Sequence, residues 1–299
     1  MTILVKQMST TNKILTNAFN KAENLCINKD SKLIFFSDMH KGDNSYADDF
    51  AHNMKIYEEA LLHYYQTDYT YFELGDGVEL WENSSFAPIY KTYKSIFDLQ
   101  LKFHKKNRLH ILWGNHDMVF KDKNVVEKML NKFFIDKQSK DKKLLFDVDF
   151  KESILLKIEG TNKSILLIHG HQADFMNYVF WKFNRFLVRF LWMPLQKIFA
   201  IKDPTSPAKN FKNSIRVERN LKKWISQNNN QLLIAGHTHR PHFPNPNEIP
   251  YFNDGSCVHP KSIIGIEIKN LEISLVKWHL KKNTIIKEIL EGPNDILLY

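Results

Sequence analysis

The sequence predicts an α/β fold, because short apolar runs typical of buried strands alternate with stretches of helical periodicity. Five of these runs stop abruptly at a turn in which Gly or Ser accompanies Asp, Asn or His. The runs with their turns are, in chain order, KLIFFSDMH (32–40), YTYFELGDG (69–77), RLHILWGNHD (108–117), SILLIHGH (164–171) and QLLIAGHTH (231–239). A hydrophobic fraction of 43%, with 22 Phe and 6 Trp, is enough for a sizeable core.

Helical spacing and strand alternation fill much of the remaining chain. Apolar spacing predicts helices over residues 10–28, 47–66 and 88–107. After the fifth turn, alternating apolar residues in SIIGIEI (262–268) and LEISLVKW (271–278) predict antiparallel strands.

Composition limits the functional classes. The net charge of +9 favours anionic partners, such as phosphates, nucleic acid or an anionic membrane surface. The two cysteines, Cys26 and Cys257, have no CxxC spacing, so neither a disulfide framework nor a thiolate zinc site is expected. The chain contains no uncharged apolar stretch of membrane-spanning length, and its first apolar run is too short for a signal peptide. We therefore expect a cytoplasmic protein.

The polar turns offer a set of metal ligands. In α/β sheets the loops beyond the carboxyl ends of the strands meet at one crevice, so side chains from several such turns are expected together. One cluster alone could be a turn or a helix cap, but five with the same residue types are poorly explained in that way. The ligands are Asp38, His40, Asp76, Asn115, His169, His237 and His239. Seven ligands are too many for one tetrahedral zinc, but they suit two adjacent metals that share a bridging carboxylate. Imidazole and carboxylate ligands favour two divalent transition metals, Mn first and then Fe or Zn.

The ordered motifs Asp-x-His, Gly-Asp, Gly-Asn-His-Asp, a lone His and Gly-His-x-His resemble those of the calcineurin-like metallophosphoesterases. They occur in this order between residues 38 and 239. The resemblance implies a four-layer α-β-β-α sandwich of two mixed sheets. It also implies hydrolysis of a phosphoester or phosphoric anhydride by water that two metals activate.

The same resemblance assigns roles to individual residues. It gives the first metal to Asp38, His40 and His239. It gives the second metal to Asn115, His169 and His237, with Asp76 bridging the two. His116 then matches the catalytic histidine of the family, which is not a ligand and protonates the leaving group. A carboxylate must orient His116, and the sequence leaves Glu79 and Asp117 as alternatives.

Within the family, SDMHKGDNSYADDF, GDGVELWE and GHTHRP resemble the branch that includes UDP-2,3-diacylglucosamine pyrophosphohydrolases. That branch commonly has Gly-Asn-Arg-Asp where this chain has GNHD (114–117). The departure favours a general phosphoesterase mechanism over that one lipid substrate. We expect cleavage of a phosphodiester or pyrophosphate bond.

Residues 172–230 are predicted to form a helical cap, inserted within a single metallophosphoesterase domain of residues 1–299. Helical spacing predicts one helix over 178–199 and another over roughly 207–227. The hairpin could simply pack its apolar face on the main domain. Alternatively, it covers the metals and offers an aromatic groove to an acyl chain or a membrane surface. Both interpretations can hold together.

Three arginines are candidate contacts for the phosphates of a substrate. Arg185 and Arg189 recur on one face of the first cap helix, and Arg240 follows the GHTH motif. We expect a small anionic phosphorylated substrate, either a nucleotide diphosphate-sugar or a lipid-linked phosphate. A lipid-linked substrate would bring the cap into peripheral contact with the inner face of the membrane.

Other functions stay open. A nuclease would fit the basic charge, but no aromatic and basic recognition module is evident, so nucleic acid is not favoured as a partner. A protein or small-molecule phosphomonoesterase uses the same metals. A non-catalytic scaffold of the same fold is disfavoured, because all seven ligand positions and His116 carry suitable residues. The sequence leaves the oligomeric state open.

Overall fold

The computed structural model describes residues 9–134, 148–192 and 211–299, which form two mixed β-sheets covered by helices. The strands of this part are β1 (Glu23–Ile27), β2 (Lys32–Phe36), β3 (Thr70–Leu74), β4 (Leu109–Leu112), β5 (Ser153–Ile158), β6 (Ser164–Ile168), β7 (Leu232–Ala235), β8 (Tyr251–Asn253), β9 (Ser262–Lys269), β10 (Glu272–Lys281) and β11 (Thr284–Asp295). The α-helices are α1 (Thr10–Asn20), α2 (Met54–Gln66), α3 (Phe86–Thr92), α4 (Lys94–Lys105), α5 (Lys123–Phe134), α6 (Phe175–Val179), α7 (Trp181–Leu187) and α8 (Phe211–Gln227).

The strand order brings the five polar turns to one edge of the molecule. One sheet has the order β11-β10-β9-β2-β3-β4, and the other has the order β1-β5-β6-β7-β8. Strands β2, β3 and β4 are parallel to one another, as are β6, β7 and β8. Their carboxyl ends therefore meet at shared edges, where ligands bind in sheets of this kind.

Alternation along β2 shows how the layers form. Leu33 and Phe35 join the core between the two sheets, whereas Ile34 and Phe36 pack towards α2 and α4. Successive side chains of a strand point to opposite faces, so a strand buried on both faces is apolar throughout. The outer face of the second sheet is covered by α1 and α8, through residues such as Trp224. The result is the four-layer sandwich, as predicted.

The five predicted strands are confirmed as β2, β3, β4, β6 and β7, and strands also form over 262–269 and 272–281. The predicted helix over 10–28 is wrong beyond Asn20. There, Glu23–Ile27 pairs in parallel with Ser153–Ile158 and forms β1 instead.

The predicted helices over 88–107 and 178–199 are interrupted in the structure. The first divides into α3 and α4 at Tyr93. The second is shorter and broken: α6 and α7 are followed by a π-helical turn, Val188–Trp192. Residues 193–199 of that prediction, with 207–210 of the next helix, lie outside the described residues. Within those residues, none of the helices combines the length and apolar character that a membrane crossing requires.

Candidate metal centre

Backbone hydrogen bonds lock the turns of the candidate site to one another. The amide of Asp38 donates to the carbonyl oxygen of Gly75 at 3.1 Å, and that of His40 donates to the carbonyl oxygen of Asp76 at 2.8 Å. Across the two sheets, the amide of His237 donates to Asp38 Oδ2 at 2.8 Å. The positions of the turns therefore depend directly on one another.

The turns bring ligand atoms into three overlapping groups, and within each group all of the atoms lie within 4.8 Å of one another. The members are Asp38, His40 and His239 in the first group, His40, Asp76 and His116 in the second, and Asp76, His169 and His237 in the third. The groups share residues, so they form one continuous cluster instead of three separate sites.

Distances within the first group are short. His239 Nε2 lies 3.0 Å from Asp38 Oδ1, and His40 Nε2 lies 3.6 Å from the same oxygen. The two imidazole nitrogens face each other at 3.3 Å. This arrangement leaves nitrogen and oxygen lone pairs directed at one small volume.

Asp76 lies between the first and third groups. Its Oδ2 atom is 3.2 Å from His169 Nε2 and 3.7 Å from His40 Nε2. Its other oxygen, Oδ1, accepts a hydrogen bond from the backbone amide of His116 at 2.8 Å. One carboxylate is thus oriented by the GNHD turn and faces histidines on both sides.

The chemistry of the donor set fits divalent metal ions. His169 Nδ1 lies 2.8 Å from the carbonyl oxygen of Leu74, to which it donates, so in the neutral imidazole the lone pair of Nε2 faces the cluster. Among the described residues, several buried polar atoms of the cluster make no hydrogen bond of acceptable geometry, and metal coordination would satisfy them. They include Asp38 Oδ1, Asn115 Oδ1, His169 Nε2 and His237 Nε2.

Five of the candidate ligands have left-handed backbone conformations. Their φ angles are positive at Asp38 (53°), His40 (50°), Asp76 (51°), His237 (68°) and His239 (55°). Residues with a Cβ atom rarely adopt this region, at a cost of about 1–3 kcal/mol each. Such strain concentrates at functional sites, where the surrounding structure enforces it.

Charges within the cluster shift the pKa values of its carboxylates and histidines. Burial disfavours the charged form of Asp76, but the charges of His169 and His116 outweigh it and hold the pKa of Asp76 well below its usual range. Conversely, burial acts to lower the pKa of His169, but the carboxylates of Asp76 and Asp38 raise it to about 9. Without metal, the cluster holds protons that a metal would displace.

Glu79 is the carboxylate that contacts His116. Its Oε2 atom lies 2.7 Å from His116 Nδ1 and 3.0 Å from His40 Nδ1. Burial opposes the charge of Glu79, but His116 outweighs it and lowers the pKa of Glu79 to about 2. The indole ring of Trp81 stacks on one face of the His116 imidazole, with ring centroids 4.2 Å apart and planes inclined by 19°.

Asp117 makes different contacts. Its Oδ1 atom accepts a hydrogen bond from the amide of Gly114 at 2.6 Å, and its Oδ2 atom accepts one from Gly77 at 2.8 Å. Burial, reinforced by the charge of Asp76, raises the pKa of Asp117 to about 7. Of the two alternatives that the sequence left open, Glu79 therefore has the contact with His116, and Asp117 joins two turns.

Two motif glycines permit close approach between turns. A Cβ atom on Gly114 would lie 2.2 Å from Asp76 Oδ1, and one on Gly236 would lie 2.1 Å from Ser37 Oγ. The Cβ atom on Gly236 would also lie 2.6 Å from Asp38 Oδ2, so a side chain at either glycine would displace a candidate ligand.

The three predicted substrate contacts lie in different surroundings. The guanidinium of Arg185 lies over the ring of Trp181, 5.1 Å from its centroid, and that of Arg240 lies over Phe211 at 4.5 Å. The guanidinium of Arg189 donates instead to three backbone carbonyls of residues 80–83. The roles of Arg185, Arg189 and Arg240 in substrate binding stay predictions.

Sequence reasoning missed a buried ion pair beneath the site. Lys41, fully buried, places Nζ 3.2 Å from Glu73 Oε2, which also accepts hydrogen bonds from Tyr71 and Gln100. The Lys41 amide donates to the carbonyl oxygen of Gly77 at 3.2 Å, so the pair joins the first two turns. A lysine directly after DMH resembles an exposed turn residue, and no sequence signal marks it as buried.

A second missed residue is Asp174. Its Oδ2 atom lies 3.6 Å from His237 Nε2 and accepts hydrogen bonds from Asn213 on α8 and Asn177 on α6. The carboxylate thereby links α6 and α8 to a candidate ligand. Its position five residues after His169, in HGHQAD, was the available signal.

Two mixed sheets flanked by helices, with imidazole and acidic ligands gathered at the strand ends, define the metallophosphoesterase class of sandwich. The model of the calcineurin-like phosphoesterase family matches residues 31–241, which contain all five motifs. The chain belongs to this family. No curated protein matches the sequence. Its resemblance to the UDP-2,3-diacylglucosamine pyrophosphohydrolase branch therefore stays a prediction.

Solved structures similar to the chain are remote. Vacuolar protein sorting 29 from Cryptosporidium parvum is 13% identical, with 88% of this chain and 98% of that chain covered and a TM-score of 0.39. A predicted phosphoesterase from Streptococcus pneumoniae is 14% identical, with 87% and 97% covered and a TM-score of 0.37. The zinc complex of Vps29 from Entamoeba histolytica is 16% identical, with 87% and 98% covered and a TM-score of 0.41.

Proposed function

We propose that the protein is a dinuclear-metal-dependent phosphoesterase that hydrolyses a phosphodiester or pyrophosphate bond. The observation that carries the proposal is the position of Asp76, whose Oδ2 atom faces His40 on one side and His169 on the other. A carboxylate shared between two groups of ligands is what two adjacent metals require.

The residues fit two divalent metals, for which manganese is the proposed identity and iron or zinc the alternative. Asp38, His40 and His239 would hold one metal, and Asn115, His169 and His237 would hold the other, with Asp76 shared. Two such metals supply Lewis acidity and lower the pKa of a water molecule that attacks phosphorus.

His116 is the proposed general acid. Glu79 contacts Nδ1 of the ring at 2.7 Å, and Trp81 stacks on one of its faces. With Nδ1 held in this way, the proton at Nε2 is available to the oxygen of the leaving group. The carboxylate of Glu79 stabilises the charged imidazolium form that donates it.

A small anionic phosphorylated substrate is supported by two basic side chains. Arg240 follows the ligand His239 directly, and Arg185 lies on α7 of the insertion. Aromatic side chains on the insertion favour a lipid-linked phosphate over a nucleotide diphosphate-sugar. Phe183, Phe186 and Phe190 are each more than half exposed, at 56%, 55% and 64%. Exposed apolar clusters of this kind commonly contact ligands or membranes. Peripheral contact with the inner face of the membrane would follow.

The test is hydrolysis by the purified full chain, loaded with Mn²⁺, of three substrate types. They are diphosphates (a nucleotide diphosphate-sugar and a lipid-linked diphosphate), an alkyl aryl phosphodiester and a phosphomonoester. We expect turnover of the diphosphate or the diester, and loss of that turnover in Asp76→Ala. Preference for the monoester would favour a phosphomonoesterase, and cleavage of oligonucleotides would favour a nuclease. Metal binding without turnover of any of these would favour a scaffold and overturn the proposal.

A further inference from the structure

We propose that Arg189 is a positioning residue for His116. Its guanidinium fixes the 80–83 segment, and that segment holds the imidazole ring. This inference rests on the proposed phosphoesterase function. It assigns to the insertion a role in arranging the general acid, in place of the substrate contact that the sequence predicted for Arg189.

Three hydrogen bonds join Arg189 to the segment. Nε donates to the carbonyl oxygen of Trp81 at 3.0 Å, and Nη2 donates to those of Leu80 at 2.7 Å and Asn83 at 3.1 Å. The planar guanidinium presents donors in a fixed fork, so it can hold several carbonyls at once. Three carbonyls within four residues fix the path of the chain there.

The segment contacts His116 in two ways. Trp81 stacks on the imidazole ring, with centroids 4.2 Å apart. Glu79, which immediately precedes the segment, contacts His116 Nδ1 through Oε2 and accepts a hydrogen bond from the Trp81 amide through Oε1 at 3.0 Å. Two of the contacts that His116 makes are therefore linked to the backbone that Arg189 holds.

Apolar packing holds the backbone at Arg189 in place. Val188 and Trp181 of the insertion are buried in one cluster with Trp81, Trp113 and Met118. Arg189 follows Val188 directly, so the backbone from which its side chain extends is anchored on that cluster. The side chain is thus a bridge between two packed elements, and a mobile phosphate-binding arm is not needed to explain its position.

The test compares Arg189→Met with Lys182→Met in the full, metal-loaded chain. Lys182 is an exposed cation on the same insertion, and its Nζ lies 5.8 Å from the centroid of the Trp181 ring. We expect Arg189→Met to lower kcat roughly 10- to 100-fold for an alkyl leaving group, with KM little changed and metal content intact. The loss should be much smaller for p-nitrophenol, which departs without a proton. Lys182→Met should leave both values unchanged.

A double-mutant cycle identifies the residue through which Arg189 acts. In a His116→Asn background, Arg189→Met should cause little further loss, because the acid that it positions is already absent. Additive losses would overturn the inference. A rise in KM with unchanged kcat would also overturn it, in favour of the substrate contact.

Hydrogen–deuterium exchange tests the contact without any turnover. Arg189→Met should speed exchange across residues 79–83, whereas Lys182→Met should not. If Arg189→Met does not fold, Arg189→Gln, which keeps an amide donor, replaces it in these measurements. Unchanged exchange in this segment would overturn the inference even in an active enzyme. If the unmodified protein has no phosphoesterase activity but Arg189→Met still speeds exchange in this segment, the proposed function is wrong and the contact of Arg189 is not.

Discussion

Glu79 Oε2 lies 2.7 Å from His116 Nδ1, so a buried carboxylate faces the histidine that is predicted to be catalytic. The same oxygen lies 3.0 Å from Nδ1 of His40, a candidate ligand. One carboxylate thus contacts both the proposed general acid and a candidate ligand. Its loss should therefore affect proton donation first and metal binding second.

Replacing Glu79 with Gln should lower kcat by roughly 10²-fold, because a neutral amide does not stabilise the imidazolium form of His116. Rates for a series of leaving groups would measure the effect, which should be largest for the most basic leaving group. Asp117→Asn is the comparison. Asp117 accepts backbone amides, so its loss should reduce the free energy of unfolding by about 1–3 kcal/mol. If kcat depended on the leaving group equally in Glu79→Gln and Asp117→Asn, the two carboxylates would not have the different roles assigned to them.

Asp76→Ala should remove the metal pair. Asp76 faces histidines of two groups, so its loss should leave no carboxylate between the metals. Elemental analysis after reconstitution should find about two metals per chain in the unmodified protein and at most one in the variant. The control is Asp48→Asn. Asp48 is a buried carboxylate that accepts a hydrogen bond from Tyr93, and the variant should keep both metals. Full metal content in Asp76→Ala would show that the bridging role is misassigned.

Gly114→Ala should impair metal binding without contacting a metal. Its Cβ would lie 2.2 Å from Asp76 Oδ1, so the Asp76 side chain must shift. Calorimetric titration with Mn²⁺ should show at least roughly tenfold weaker binding, as for other changes beside metal ligands. Gly160→Ala is the matched control. No atom lies within 4 Å of its Cβ position, so only a small loss of stability from its φ of 75° is expected.

The metal-free protein should lose stability as the pH rises from about 6.5 to 9. The pKa of His169 is raised to about 9 in the folded protein, against about 6.5 in an unfolded chain. Protonation of His169 therefore stabilises the fold below pH 6.5, and this contribution, up to about 3 kcal/mol, is lost as pH passes the folded value. Denaturant unfolding of the chelated protein would measure it. His169→Gln should show a flatter dependence, and parallel curves for the two proteins would contradict the assignment.

Much of the fold could be predicted because strands β2, β3, β4, β6 and β7 are largely buried and most of their residues are apolar. Strand β1 was missed for the opposite reason. It lies at the edge of its sheet, with burial alternating along ENLCI, and its pairing with Ser153–Ile158 is remote in sequence. A strand that depends on a partner about 130 residues away has no local signal strong enough to separate it from the preceding helix.

The candidate ligands could be found because metal chemistry restricts both residue type and position at strand ends. The choice between Glu79 and Asp117 could not be made, since both lie within three residues of a ligand and only side-chain direction separates them. The contacts of Arg189 were equally hidden. Helical spacing placed it on a basic face, whereas its partners are carbonyls from a turn more than 100 residues earlier.

Left-handed backbone at five candidate ligands has an evolutionary consequence. Asn or Gly would occupy those conformations with less strain, so fold stability alone favours replacing the very residues that the chemistry needs. Lineages released from catalytic selection should therefore drift first at these positions and gain thermal robustness as they do. Asp or His at all five positions is the pattern that continued selection for metal binding would maintain, at the expense of a more relaxed fold.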